Sequence, residues 1–218
     1  MNQTKHPFLP LKLRLLALST LAVWLCGCAA TKVQQTWKSP DCPQPVGKIA
    51  VLAIEERGLV RQGFENRCVR QLAKTGAPAV VTFDLLSLPD IKEDKRAAAE
   101  RFRATGAQAV LILRLAGKGS SFHESRAGNE NYAATVTGIE NMGWYDYYTV
   151  AFMDMSPTYG SLKQAVYIEA GVYDLNTEKR LWSGQTQTVL KENMDRVSEM
   201  DPVVAKIVAA MRKDGVVP

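Results

Sequence analysis

Ala109-Val110-Leu111-Ile112-Leu113-Arg114-Leu115 decides the fold class. The run is apolar at nearly every position rather than at alternate ones, as expected for a strand covered on both faces. Upstream, Lys48-Ile49-Ala50-Val51-Leu52-Ala53-Ile54 and Ala79-Val80-Val81-Thr82-Phe83 read as two more strands. Between the strands lie helical patterns. Leu59 to Lys74 carries Val60, Phe64, Cys68 and Leu72 as an apolar stripe at four-residue spacing, and Gly76 supplies the residue that ends a helix. Asp90 to Arg103 is rich in Ala, Glu, Lys and Arg, with its charges on a solvated face, and Gly106 closes it. Strand, helix, strand, helix, strand with short connections predicts right-handed crossovers and a parallel core.

Downstream, Gln164–Tyr173 and Arg180–Leu190 form two further strands around Asp174-Leu175-Asn176-Thr177-Glu178-Lys179, a stretch of turn chemistry that predicts an antiparallel hairpin. A last helix starts at Asp201-Pro202, with Val203, Val204, Ile207, Val208 and Met211 as its buried stripe. The expected fold is α/β: a five-stranded mixed sheet, ordered β-α-β-α-β-insert-β-β-α, with three main helices in a single domain over residues 47–218.

The run from Val172 to Ser183, with Asp174, Thr177, Lys179 and Trp182 at fixed offsets, resembles a hairpin shared by a broad group of bacterial envelope lipoproteins. That group includes outer-membrane activators of penicillin-binding proteins, the amino-terminal domain of the Tol-system propeller protein and the curli-secretion channel. Thr105-Gly106-Ala107-Gln108-Ala109 is similar to the same group's approach to its third strand. Glu178 stands where the group has Gly, and Gln108 where it has Asp. The resemblance covers roughly residues 48–116 and 164–212, and its motifs are structural, with no catalytic residue to carry over.

The amino terminus carries an address. Lys5, Lys12 and Arg14 precede an apolar core of about 11 residues, Leu15 to Leu25, too short for a retained span of roughly 20. Residues 1–27 read as a cleaved signal. Leu25-Cys26-Gly27-Cys28 resembles the lipobox of bacterial lipoproteins. The resemblance implies cleavage after Gly27 and acylation of Cys28, and several acyl chains at ~0.8 kcal/mol per buried methylene hold a protein on a membrane durably. Ala29, rather than Asp, follows Cys28, which by the sorting rule of such lipoproteins implies the outer membrane. Residues 28–46 contain Pro40, Pro43 and Pro45 with little periodicity and read as a lipidated tether, spanning roughly 20–25 Å as a flexible coil. Trp37 is its one large apolar residue, placed either on the domain or at the lipid interface.

Losing the signal turns 27 Lys+Arg into 24 against 22 Asp+Glu, a net charge near +2 instead of +5. That balance gives no reason to expect nucleic acid as a partner. Of the four cysteines, Cys42 and Cys68 stay in an oxidising compartment. A disulfide between them would close a loop of about 26 residues and contribute about 3 kcal/mol. Cys68 fits equally well as a buried free thiol on its helix stripe.

Chemistry-bearing motifs are sparse. Of two histidines, His6 leaves with the signal and His123 lies in a polar stretch. Neither a nucleophile–base arrangement nor a metal-ligand or cofactor motif is present, so no catalytic residue, metal or cofactor is expected. Glu55-Glu56 ends the first parallel strand, where α/β sheets often place ligands; a solvated loop is the simpler reading. The insert 117–163 is long and aromatic, with Tyr132, Trp144, Tyr145, Tyr147, Tyr148 and Phe152. Tyr132–Ile139 and Trp144–Met153 are spaced as a hairpin. Three readings stand: packing on its own sheet, a partner-binding or oligomerisation surface built on Trp144, Tyr145, Tyr147, Tyr148 and Phe152, or a membrane-inserting hairpin. The function expected is an outer-membrane lipoprotein whose non-catalytic domain faces the periplasm as an envelope-assembly or regulatory protein-binding module. Its rivals are an oligomeric secretion or pore-type subunit and an envelope hydrolase.

Overall fold

A computed structural model describes residues 31–118, 143–144, 148, 165–189 and 200–218. The signal with Gly27 and Cys28, His123, the span Tyr132–Ile139, and Tyr145, Tyr147 and Phe152 lie outside the described residues.

The fold is α/β around one mixed sheet. Along the chain run β1 (Thr31–Lys38), β2 (Ile49–Ile54), α1 (Gly58–Thr75), β3 (Ala79–Val81), α2 (Leu88–Glu93), α3 (Lys95–Ala104), β4 (Ala109–Lys118), β5 (Ala165–Asp174), β6 (Arg180–Val189) and α4 (Met200–Lys213). The strand order is β1-β6-β5-β4-β2-β3. β2 pairs in parallel with β3 and β4, whereas β4–β5, β5–β6 and β6–β1 are antiparallel. The parallel core and the antiparallel hairpin both match the sequence reading.

Four features differ from it. The sheet has six strands instead of five, because Thr31–Lys38, inside the stretch read as a tether, is an edge strand on β6. Only Thr31 is buried on this strand, and a register shift between Val33 and Gln35 interrupts its alternation, so it shows no apolar period. The expected Asp90–Arg103 helix is two helices. α2 starts earlier, on a capping box in which the Ser87 Oγ accepts from the Asp90 N–H and an Asp90 carboxylate oxygen accepts from the Ser87 N–H. Asp94 then leaves helical geometry and caps α3, accepting from the Ala97 N–H at 2.9 Å. Four helices are therefore described instead of three. β4 also runs to Lys118, past the expected start of the insert at 117.

Alternate residues of the sheet feed two cores. On one face, α1 and α4 cover Ile49, Val51, Leu111, Leu113, Val172 and Trp182. On the other, α2 and α3 cover Ala50, Leu52, Ile54, Val110, Ile112 and Tyr173. Each fully buried aliphatic side chain contributes about 1.5–3 kcal/mol, which explains the near-continuous apolar runs of β2 and β4. Gly76 caps α1 in the left-handed region at φ 86°. The hairpin turn is held by the Asp174 carboxylate, which accepts from the Asn176 and Thr177 N–H groups at 2.8 and 2.6 Å.

Gly184 lies under the buried Trp182 ring, whose Nε1 donates to the Asp214 carboxylate at 2.8 Å. A Cβ at position 184 would sit 2.5 Å from one ring carbon and 2.8 Å from another, where carbon atoms need ~3.5–4.0 Å. With Trp182 fully buried, the ring has nowhere to retreat. Gly184→Ala is expected to lower stability by about 1–3 kcal/mol, read as a lower urea midpoint; an unchanged midpoint would contradict this packing.

Candidate functional site

The most concentrated chemistry among the described residues gathers at the carboxyl ends of β2 and β3. Helix α1 runs back from β2 and turns Arg61 and Glu65, one helical turn apart, onto the sheet; both are buried. One Glu65 carboxylate oxygen, Oε1, accepts from the Ala53 N–H at 3.1 Å and from Arg61 Nε at 2.9 Å. The other, Oε2, accepts from the Thr82 and Phe83 N–H groups at 2.7 and 2.9 Å. The Thr82 hydroxyl lies 3.2 and 3.3 Å from the two oxygens and accepts from Arg61 Nη2 at 3.1 Å. The carboxylate thus closes the open ends of two parallel strands, whose backbone donors would otherwise be buried without partners. With its lone pairs engaged, it ties α1 to the ends of both strands as a lock.

This centre went unread in the sequence. The predicted α1 stripe was Val60, Phe64, Cys68 and Leu72, whereas the buried residues are Arg61, Glu65, Cys68 and Leu72. An i, i+4 Arg–Glu pair usually marks a wet helix face. Its meaning here comes from Thr82 on a distant stretch of chain.

Glu55 and Glu56, the carboxylates expected near this end, are not part of the lock. Glu55 holds the Arg57 guanidinium through two 2.7 Å contacts and accepts from the Arg57 N–H at 3.1 Å, while Glu56 is exposed.

A second polar tract crosses the sheet on the α2/α3 face. Arg114, Glu169, Gln185 and Gln35 occupy one register row over β4, β5, β6 and β1. Arg114 Nε donates to a Glu169 carboxylate oxygen at 2.6 Å, with both side chains largely buried. Beside them, the Tyr173 ring lies over Gly171. Burial pushes the Tyr173 hydroxyl well above its ordinary titration range, with Arg180 pulling the other way. At the sheet edge the Arg180 guanidinium stacks 4.7 Å over the Trp37 ring. Trp37 therefore packs on the domain, and it stays 43% exposed.

The expected partner-binding aromatics divide. Trp144 and Tyr148 are helical residues, not strand residues, and both are completely buried on the α2/α3 face. The Trp144 ring is tilted 51° against Phe102 at 6.0 Å, and the Tyr148 hydroxyl donates to the Leu88 carbonyl at 2.6 Å. They belong to the core. Their four-residue spacing is the sequence signal for a helix face, and the local wealth of aromatics masks it.

The expected Cys42–Cys68 bond is not formed: both are free, buried thiols. Cys68 sits wholly inside the α1 stripe, and burial, with Glu65 adding to it, drives its thiol well above the ordinary range. Cys42 is also raised by burial, partly offset by Lys38, and its Sγ donates to the Pro43 carbonyl at 3.4 Å. Among the described residues no cluster of His, Cys, Asp or Glu is arranged to hold a metal ion.

Glu178 explains one departure from the lipoprotein hairpin motif. Its backbone has φ 61°, the left-handed region that favours Gly. The Glu178 carboxylate ion-pairs with Lys95 on α3, tying the hairpin turn to the helix layer.

No protein-family model matches the chain, and no curated protein matches it in sequence. Among solved structures it is similar to a PelC dodecamer subunit from Paraburkholderia phytofirmans, at 12% identity over 83% of this chain and 96% of that one, with a TM-score of 0.44. It is similar to a lipoprotein from Neisseria meningitidis at 15% identity over 77% and 99% of the two chains, TM-score 0.39. A PDZ domain protein from Parabacteroides distasonis matches at 10% identity over 90% of this chain and 39% of that one, TM-score 0.42. At TM-scores below 0.5 these likenesses assign no residue a role, and the functional reading rests on this chain's own residues.

Proposed function

We propose that the chain is an outer-membrane lipoprotein whose non-catalytic α/β domain faces the periplasm and serves as an envelope-assembly or regulatory protein-binding module. The observation that carries this is Leu25-Cys26-Gly27-Cys28, closing a short apolar segment behind Lys5, Lys12 and Arg14. Ala29 after Cys28 supports the outer membrane as destination.

The Glu65 lock supports a non-catalytic domain. It fills the carboxyl ends of β2 and β3, the position where α/β sheets commonly hold substrates, with the chain's own side chains. The burial of Trp144 and Tyr148 moves the binding surface away from them. Edge strand β1 is the better candidate, because its residues 32–37 are exposed and one side of its backbone has no neighbouring strand among the described residues. Such an edge accepts an added strand from a partner. Val33 and Trp37 supply apolar contact, while exposed Lys32 guards the edge against indiscriminate pairing. The same edge supports the second reading, an oligomer of this chain, and a native mass measurement separates the two.

The anchor is tested in living cells. Cys28→Ala is expected to abolish incorporation of labelled fatty acid and to release the protein from the membrane fraction. Label retained on Cys28→Ala would overturn the assignment.

A further inference from the structure

We propose that the outer face of the α1/α4 layer binds an anionic lipid surface through five cations: Arg70 and Lys74 on α1, with Lys206, Arg212 and Lys213 on α4. The two helices together hold seven Lys or Arg and two Asp or Glu, although the mature chain as a whole is nearly balanced, at 24 against 22. The opposite layer mixes its charges. α2 and α3 carry five basic residues and three acidic ones, with Asp94 between them as a fourth acid. The asymmetry arises because α1 and α4 cover the same face of the sheet, side by side and joined by an Arg67–Asp201 ion pair at 3.1 Å.

Two observations set this patch apart from an ordinary wet helix surface. All five cations are exposed, and none pairs with an acidic group among the described residues. Arg57, Arg61, Arg67, Lys95 and Arg114, by contrast, each hold a carboxylate. Helix-end electrostatics also accounts for only part of the patch. Lys74, Arg212 and Lys213 lie in last turns, where cations complement the helix dipole. Arg70 and Lys206 stand more than a turn before those ends, where that effect has faded.

Both helices finish at the amino-terminal end of β2. Gly76 leads through Pro78 into β3 beside Ile49, and beyond α4 the Val216 carbonyl accepts from the Val46 N–H at 2.9 Å. Every connection at that end, residues 39–48, 76–78, 105–108, 175–179 and 214–218, belongs to the described residues. Small exposed residues, Ala73 and Ala209, share the face with the cations. The large apolar side chains exposed among the described residues are Val33, Trp37 and Leu59, and none of them belongs to the patch. Protein interfaces gather aromatic anchors, and this face offers none. Diffuse, mobile negative charge is what it fits, as phospholipid headgroups supply it: each Lys or Arg near such a surface adds attraction that salt screens. The proposal makes no use of Cys28, so it stands or falls apart from the acyl anchor.

The test is co-sedimentation of the mature chain from residue 28, made without its signal and therefore unacylated. The chain should pellet with vesicles of phosphatidylcholine mixed with phosphatidylglycerol and not with phosphatidylcholine alone. It should be released as salt rises from about 0.1 to about 1 M, which shortens the screening length from about 10 to about 3 Å. Arg70→Gln with Lys206→Gln should weaken binding about tenfold or more. Arg96→Gln with Arg101→Gln, at exposed positions of the α2/α3 layer, removes the same charge and should leave binding nearly unchanged. Circular dichroism melts check that each variant is folded. No binding to the phosphatidylglycerol vesicles, equal binding to phosphatidylcholine, or equal weakening by the two double variants overturns the proposal. Binding to dextran sulfate without binding to vesicles also overturns it, and would give the face to an acidic polysaccharide.

Discussion

Glu65→Ala is expected to remove most of the domain's stability, about 4 kcal/mol or more, through two separate losses. The Arg61 guanidinium stays buried without its partner, and breaking a buried ion pair in this way costs about 3–5 kcal/mol. The Ala53, Thr82 and Phe83 N–H groups also lose their acceptor, at about 1–3 kcal/mol for each that water does not reach. Against a total stability of roughly 5–15 kcal/mol, the variant should be unfolded or nearly so at ambient temperature. Urea denaturation of the signal-less domain, followed by circular dichroism, measures the effect. The combination Arg61→Met with Glu65→Leu should recover part of it, since no charge is then stranded although the backbone donors still are. A Glu65→Ala domain within about 1 kcal/mol of the parent, the cost of an ordinary exposed pair, would show that the carboxylate is not the clasp described.

Trp144→Ala is expected to cost about 3–5 kcal/mol, the range for emptying a large aromatic site in a packed core. Trp144 is fully buried against Phe102, in the cluster that includes Leu52, Ile112 and Tyr173. The prediction separates two roles for the same residue. An interface anchor would leave the isolated domain as stable as before while weakening a complex. A core residue lowers the thermal midpoint of the isolated domain by many degrees. Thermal melts of the parent and variant, without any partner, decide between them, and an unchanged midpoint would return Trp144 to the surface.

The parts of the fold that were legible in the sequence are those in which burial is dense and local. β2 and residues 109–114 of β4 are buried on both faces, and the β5–β6 turn carries its own Asp174 chemistry. The parts that were not legible depend on partners remote in sequence. β1 is polar because it is an edge strand, and only its pairing with β6 reveals it. Arg61 and Glu65 resemble a solvated helix pair until Thr82 is brought beside them. Asp94 breaks a helix that propensity alone would continue, because its side chain caps the next one. Trp144 and Tyr148 carried a four-residue spacing that a helix explains, while a count of aromatics pointed to a surface. The one motif departure with a visible cost, Glu178 at a Gly position, sits in left-handed backbone and is tied to Lys95.

The membrane address proposed for this domain depends on the covalent state of Cys28 in Leu25-Cys26-Gly27-Cys28. Mass spectrometry of the amino-terminal peptide from membrane-extracted protein measures it directly. The expected peptide begins at Cys28 and carries a thioether-linked diacylglycerol with an acyl chain on its amine. A peptide that begins at Met1, or one that begins beyond Cys28 or carries an unmodified Cys28, would contradict it.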